Sequence, residues 1–213
     1  MDVDPLLRES LADPGAVAVL VVDMQADFCA NDGAMAVLGA DTSRNGALVG
    51  PIDAFLSQIR QARCRVVWVR QEASEAHASP ARRRRASRMG RTATSVCAAG
   101  TPGARLADGL TVEPEDLAVT KYRYSAFIGT DLDLLLRSQG VTTVVVVGTA
   151  ANVCVDSTAR DAYQRDYDTI VVRDLVGWTL QALAEAALEN LDAYFATVTG
   201  SQEVLAALPS STP

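Results

Sequence analysis

The chain has 213 residues, 49% of them hydrophobic and 21% charged, with a net charge of −7. That is enough apolar material for one buried core in a single domain spanning 1–213, too little charge for disorder, and a sign that repels phosphate backbones, so no nucleic-acid partner is expected. The longest apolar runs, Val17 to Val22 and Val144 to Val147, fall far short of the ~20 residues that cross a bilayer, and the acidic start from Met1 to Pro14 is unlike a secretory signal, so a cytoplasmic protein without a membrane partner is expected.

In chain order, Ala16 to Val22 is a continuous run rich in branched residues, which predicts a strand buried on both faces of a parallel sheet, ending at Asp23. Leu48, Ile52, Phe55, Leu56 and Ile59 follow helical spacing within 44–62, and Arg65 to Arg70 reads as the next strand. From about 71 to 115 no period is sustained, which predicts a long excursion acting as a lid or an interface. Leu117 to Lys121 reads as a short strand, Thr130 to Gln139 as a helix capped near Thr130 or Asp131, and Val141 to Val147 as the clearest strand. A helix from the Gly148–Asn152 turn to about Tyr167 would carry Cys154 in its first turn. A strand at 169–172, a helix at 180–195, a short strand at 196–199 and a last helix at 201–208 complete the pattern. Alternating strands and helices predict an α/β fold, a three-layer α/β/α sandwich on a mainly parallel sheet, with ligands outside the carboxyl ends of the strands.

Asp23, Lys121 and Cys154 all fall on that rim. Alone, each has a plainer reading: a turn cap, a surface lysine, a buried thiol. Lys121, however, is the single lysine beside 18 arginines, and an ammonium does point-charge and proton-transfer work that a guanidinium does poorly. A cysteine in the first turn of a helix, near a lysine, is expected to have its thiolate favoured. Asp23 could take the thiol proton and return it to a leaving nitrogen. The four cysteines, Cys29, Cys64, Cys97 and Cys154, form no CxxC pair and His77 is the only histidine. Reduced thiols, no metal and no cofactor are therefore expected. No Gly-x-Ser-x-Gly elbow or phosphate-binding glycine run competes. His77 is expected on a solvent-facing loop, Arg160 and Asp161 in structural ion pairs, and the six arginines from Arg82 to Arg91 on a solvated lid or subunit contact, with an anionic substrate as the next reading.

Three blocks in order, Val21-Val-Asp-Met-Gln-Ala-Asp-Phe28, Thr120-Lys-Tyr-Arg-Tyr-Ser-Ala-Phe127 and Gly148-Thr-Ala-Ala-Asn-Val-Cys154 with its continuation to Ala162, resemble the isochorismatase-like cysteine hydrolase superfamily over about residues 15–208. The resemblance implies an Asp23–Lys121–Cys154 triad, an oxyanion hole from the backbone N–H groups of Ala150 and Cys154, a cis peptide at Thr149–Ala150, and a homodimer or homotetramer. The segment Val69 to His77 lacks the metal-site histidines of nicotinamidases, and a cysteine nucleophile disfavours isochorismate. The wording looks most like the N-carbamoyl and ureido branch, amidohydrolases that act on a small-molecule substrate through a thioester, with Phe28 and Tyr124 as candidate substrate contacts. The competing expectation is a binding module on the same fold with an idle triad.

Overall fold

In the computed structural model, which describes residues 3–209, the apolar runs become six strands of one parallel sheet. They are β1 (Val17–Val22), β2 (Arg65–Gln71), β3 (Leu117–Lys121), β4 (Thr143–Gly148), β5 (Asp168–Val176) and β6 (Thr197–Thr199), in the order β3-β2-β1-β4-β5-β6. The central strands β1 and β4 are buried along their whole length, as a sheet covered on both faces requires. On one face Val17, Val19 and Val21 pack with Leu7, Ile52, Phe55, Leu56, Ile59 and Val204, from the helices Pro5–Ser10, Val49–Gln61 and Ser201–Ala207. On the other, Ala18, Leu20 and Val22 pack with Leu132, Leu136, Ala159, Ala162, Leu188 and Leu191, from the helices Leu132–Ser138, Asp156–Tyr163 and Gln181–Tyr194. This is the expected three-layer sandwich.

With both faces apolar, alternation cannot set the register of the central strands. Their carboxyl ends can. Asp23 follows β1, Gln71 ends β2 opposite Lys121 of β3, and Val22 of β1 lies opposite Gly148 of β4. A slip of one residue would part these polar groups and leave each buried without its partner. Gly148 has φ 108°, and a Cβ there would overlap the Val22 carbonyl oxygen, so β1 and β4 approach this closely only because the position is glycine. The strand order reverses between β1 and β4, which makes their carboxyl ends the topological switch point of the sheet.

Several boundaries differ from the sequence reading. The 44–62 helix is broken into a turn at Ser43–Ala47 and the helix Val49–Gln61. The break is at Leu48, and Gly46 in the first piece is pressed so close to the Cys29 carbonyl that no side chain fits. The Thr130–Gln139 helix is shorter, Leu132–Ser138, with Thr130 Oγ1 accepting the Leu132 N–H at 3.3 Å. β5 runs on to Val176, past the charged Arg173 and Asp174 that end its apolar run in sequence. Cys154 lies in a π-helical turn, Ala151–Val155, ahead of the helix Asp156–Tyr163.

The 71–115 excursion contains a helix, Pro80–Arg88, that periodicity misses because its only buried residue is Ala86. Its signals are local: Ser79 caps the Arg82 N–H at 3.3 Å and Pro80 opens the first turn. The excursion folds down over the carboxyl rim. Isolated bridges join Ala73 to Ala98 and Gln25 to Leu106. No helix among the described residues is long and apolar enough to cross a membrane.

Candidate active site

Asp23, Lys121 and Cys154 meet above the switch point. Neighbouring parallel strands lie ~4.8 Å apart, so β3 is about 10 Å from β1, and the long lysine stem spans β2 to bridge the gap. Lys121 Nζ donates to Asp23 Oδ2 at 2.8 Å and to Gln71 Oε1 at 3.0 Å, reaches Cys154 Sγ at 3.4 Å and lies 3.2 Å from the Arg123 carbonyl. Asp23 has a left-handed backbone, φ 53°, which aspartate tolerates better than most residues. Its N–H still bonds the Val69 carbonyl at 2.9 Å, so the carboxylate is held at the strand's end. Asp23 and Lys121 are fully buried, whereas Cys154 keeps 7% exposure, which makes it the member a substrate can touch.

The electrostatics overturn one expectation. Burial, then the charge of Asp23, pushes the Cys154 thiol up to about 12, and Lys121 only partly opposes them. Cys154 is therefore held as a thiol, not the helix-stabilised thiolate expected from its place in sequence. A lone thiol in this dry site lacks the exposure that lets a helix end and an ammonium prevail. Burial also raises Asp23 above the ordinary carboxylate range, against the pull of Lys121. For Lys121 itself burial disfavours the charge, but Asp23 and Cys154 outweigh it and hold the ammonium above the usual lysine range. Asp23 Oδ1 is buried with no hydrogen-bond partner among the described residues. All four cysteines are buried and all four thiols are raised, so alkylation rate alone does not single out Cys154.

The Thr149–Ala150 peptide is cis, as the resemblance implies, and the Ala150 N–H has no partner among the described residues. Phe28 is half-buried on the turn Ala26–Cys29, against the first core layer. Tyr124 is exposed, three residues beyond Lys121. His77 is exposed, but its ring stacks on Tyr122 with centroids 3.6 Å apart. Arg160 and Asp161 are both in ion pairs, with Asp156 and Arg165 respectively. Among the described residues no three His, Cys, Asp or Glu side chains gather as a metal site requires. A depression of about 860 Å³ lined by Gly15, Arg60, Arg65 and Asp116 lies at the amino ends of the strands, away from these groups.

Sequence reasoning missed the supports. Gln71 holds Lys121, and the strand register that pairs them is its only signal. Gln25 clamps β2 to the excursion, donating to the Gln71 and Ala104 carbonyls at 2.9 and 2.7 Å and accepting the Gln71 N–H at 2.8 Å. Asp27 accepts the Cys97 N–H at 2.6 Å and the Ala34 N–H at 3.0 Å. Both lie in the first block, two and four residues after Asp23.

Residues 17–203 match the family model described as Isochorismatase domain. The ureidoacrylate amidohydrolase RutB of Methylorubrum extorquens is 36% identical, over 97% of this chain and 88% of its own. A cysteine hydrolase from Pseudomonas syringae pv. phaseolicola superposes with a TM-score of 0.80 at 27% identity, covering 92% of this chain and 93% of that one. N-carbamoylsarcosine amidase from Thermoplasma acidophilum gives 0.71 at 29% identity, covering 87% and 96%.

Proposed function

Because the chain belongs to the isochorismatase family, we propose that it hydrolyses a carbon–nitrogen bond of a small ureido or N-carbamoyl compound, with Cys154 as nucleophile. The observation that carries this reading is the double engagement of Lys121 Nζ, bonded to Asp23 Oδ2 and within 3.4 Å of Cys154 Sγ in a buried site. Relatives named for ureidoacrylate and N-carbamoylsarcosine support the bond type.

As Sγ attacks the carbonyl carbon, its proton passes to Asp23, whose raised pKa makes it a competent base and then a competent acid. Lys121 keeps its proton throughout and neutralises the thiolate as it forms. The backbone N–H groups of Ala150 and Cys154 would hold the oxyanion. Collapse of the tetrahedral intermediate breaks the C–N bond, and Asp23 returns the proton to the departing ammonia or amine. The thioester, a thiocarbamate when the substrate is a ureide, is then attacked by water that gives its proton to Asp23, and Sγ leaves as a thiol. Four free cysteines support a cytoplasmic setting, and a homodimer or homotetramer is part of the proposal, to be read by light scattering. The function is tested by ammonia release from a panel of ureido acids, N-carbamoyl amines, primary amides and cyclic imides. Turnover confined to the ureido and N-carbamoyl members supports the reading, and turnover of none of them overturns it.

A further inference from the structure

The arginine-rich segment is not uniformly solvated. Ser79 and Pro80 fix the start of the helix Pro80–Arg88, and Arg82 and the buried Ala86 lie one turn apart on its inner face. Arg84, Arg85 and Arg88 are exposed, and Arg83 pairs with Glu75. Arg82 instead turns inward, half-buried, and its Nη1 donates to the Tyr122 carbonyl. The Nη1 of Arg123 donates to the same oxygen at 2.8 Å and to the His77 carbonyl at 3.3 Å. Two guanidinium groups thus converge on one neutral acceptor, and among the described residues neither forms an ion pair with a carboxylate.

The backbone that holds this cationic pair adjoins Lys121 and Cys154. Tyr122 follows Lys121 directly, and Lys121 Nζ reaches both the Arg123 carbonyl and Cys154 Sγ. Burial, then repulsion from Arg123, holds Arg82 below the ordinary guanidinium range. Two like charges brought together without a counter-ion, in a chain of net charge −7, make a local site for an anion. A planar carboxylate can accept from both forks at once.

We propose that Arg82, supported by Arg123, determines specificity by binding a carboxylate at the far end of the substrate, so that the preferred substrates are ureido acids and not neutral ureides. The proposal rests on the reading of the site as a carbon–nitrogen hydrolase. Its test compares kcat/KM for N-carbamoyl-β-alanine and for N-butylurea, in which an alkyl end replaces the carboxylate, using the wild type, Arg82→Gln and Arg82→Lys. Arg82→Gln is expected to lower the acid-over-ureide preference by about 10- to 100-fold, chiefly through KM, as loss of a charged hydrogen bond implies, and Arg82→Lys to restore part of it. An unchanged preference, or an equal loss on both compounds, overturns the proposal and leaves the hydrolase reading standing. If the wild type cleaves neither compound, the hydrolase reading stands or falls on the full ureido and N-carbamoyl panel, and calorimetry of N-carbamoyl-β-alanine with Cys154→Ala decides the fate of the proposal. Weakening of that binding by the same factor on adding Arg82→Gln supports it. Equal binding, or none, overturns it.

Discussion

Replacing Lys121 with Met tests whether the buried ion pair is held by mutual compensation. The Asp23–Lys121 contact is 2.8 Å and both side chains are fully buried, so at an effective dielectric constant of 20 the attraction is about 6 kcal/mol. Desolvation of the two ions opposes this by several kcal/mol each, which leaves the pair near neutral as a unit. Removing one partner is different: it strands a carboxylate at a cost of about 3–5 kcal/mol, or a fall in Tm of about 6–20 °C for a chain of this size. The cost depends on pH. Without the ammonium, burial raises Asp23 further, and a group with a raised folded pKa contributes its stability below the unfolded value and loses it as pH rises through the folded one. Urea melts of wild type and Lys121→Met at pH 5 and pH 8 should therefore show the larger deficit at pH 8. The double variant Asp23→Asn/Lys121→Met should recover most of it. A single variant no less stable than the double, or a deficit that grows on acidification, would refute the reasoning.

Two further outcomes follow from the same geometry. The rate should rise through an acid limb lying above the ordinary carboxylate range, because burial raises Asp23 and only its ionised form accepts the thiol proton; with Lys121 raised and Cys154 at about 12, no alkaline limb is expected below about pH 10, and a pH–rate profile of kcat/KM reads both. Gly148→Ala would force a Cβ into the Val22 carbonyl at a left-handed backbone position, so urea denaturation should show a loss of at least about 2 kcal/mol, and a melt unchanged from wild type would mean that β1 and β4 are not held as described.

The sheet was legible because its central strands are continuous branched runs, such as Val17 to Val22 and Thr143 to Val147, which only a doubly covered parallel sheet accommodates. The convergence of Asp23 and Lys121 was legible for a different reason: polar residues stand where those runs stop, and the one lysine stands at such a stop, while Cys154 was placed by the turn-to-helix pattern after β4. The ends of elements were not, because Arg173 and Asp174 hide the last third of β5 and four successive arginines hide the helix Pro80–Arg88. The ionisation of Cys154 was misread because sequence places a residue near a helix start without revealing that a carboxylate and a dry core surround it. Gln71 and Arg82 depend on which residues lie across a register or an inward helix face. The Arg82 contact exists only once the excursion has folded over the sheet.

If Cys154 is the nucleophile proposed, it becomes covalently acylated in every turnover. That acylation is tested most directly by rapidly quenching the wild type during hydrolysis of N-carbamoyl-β-alanine and mapping the adduct by peptide mass spectrometry. One adduct is expected, on the peptide containing Cys154, formed and lost no more slowly than turnover and absent from Cys154→Ala, with its mass showing which nitrogen leaves first. Undiminished turnover by Cys154→Ala, or an adduct confined to Cys29, Cys64 or Cys97, would contradict it.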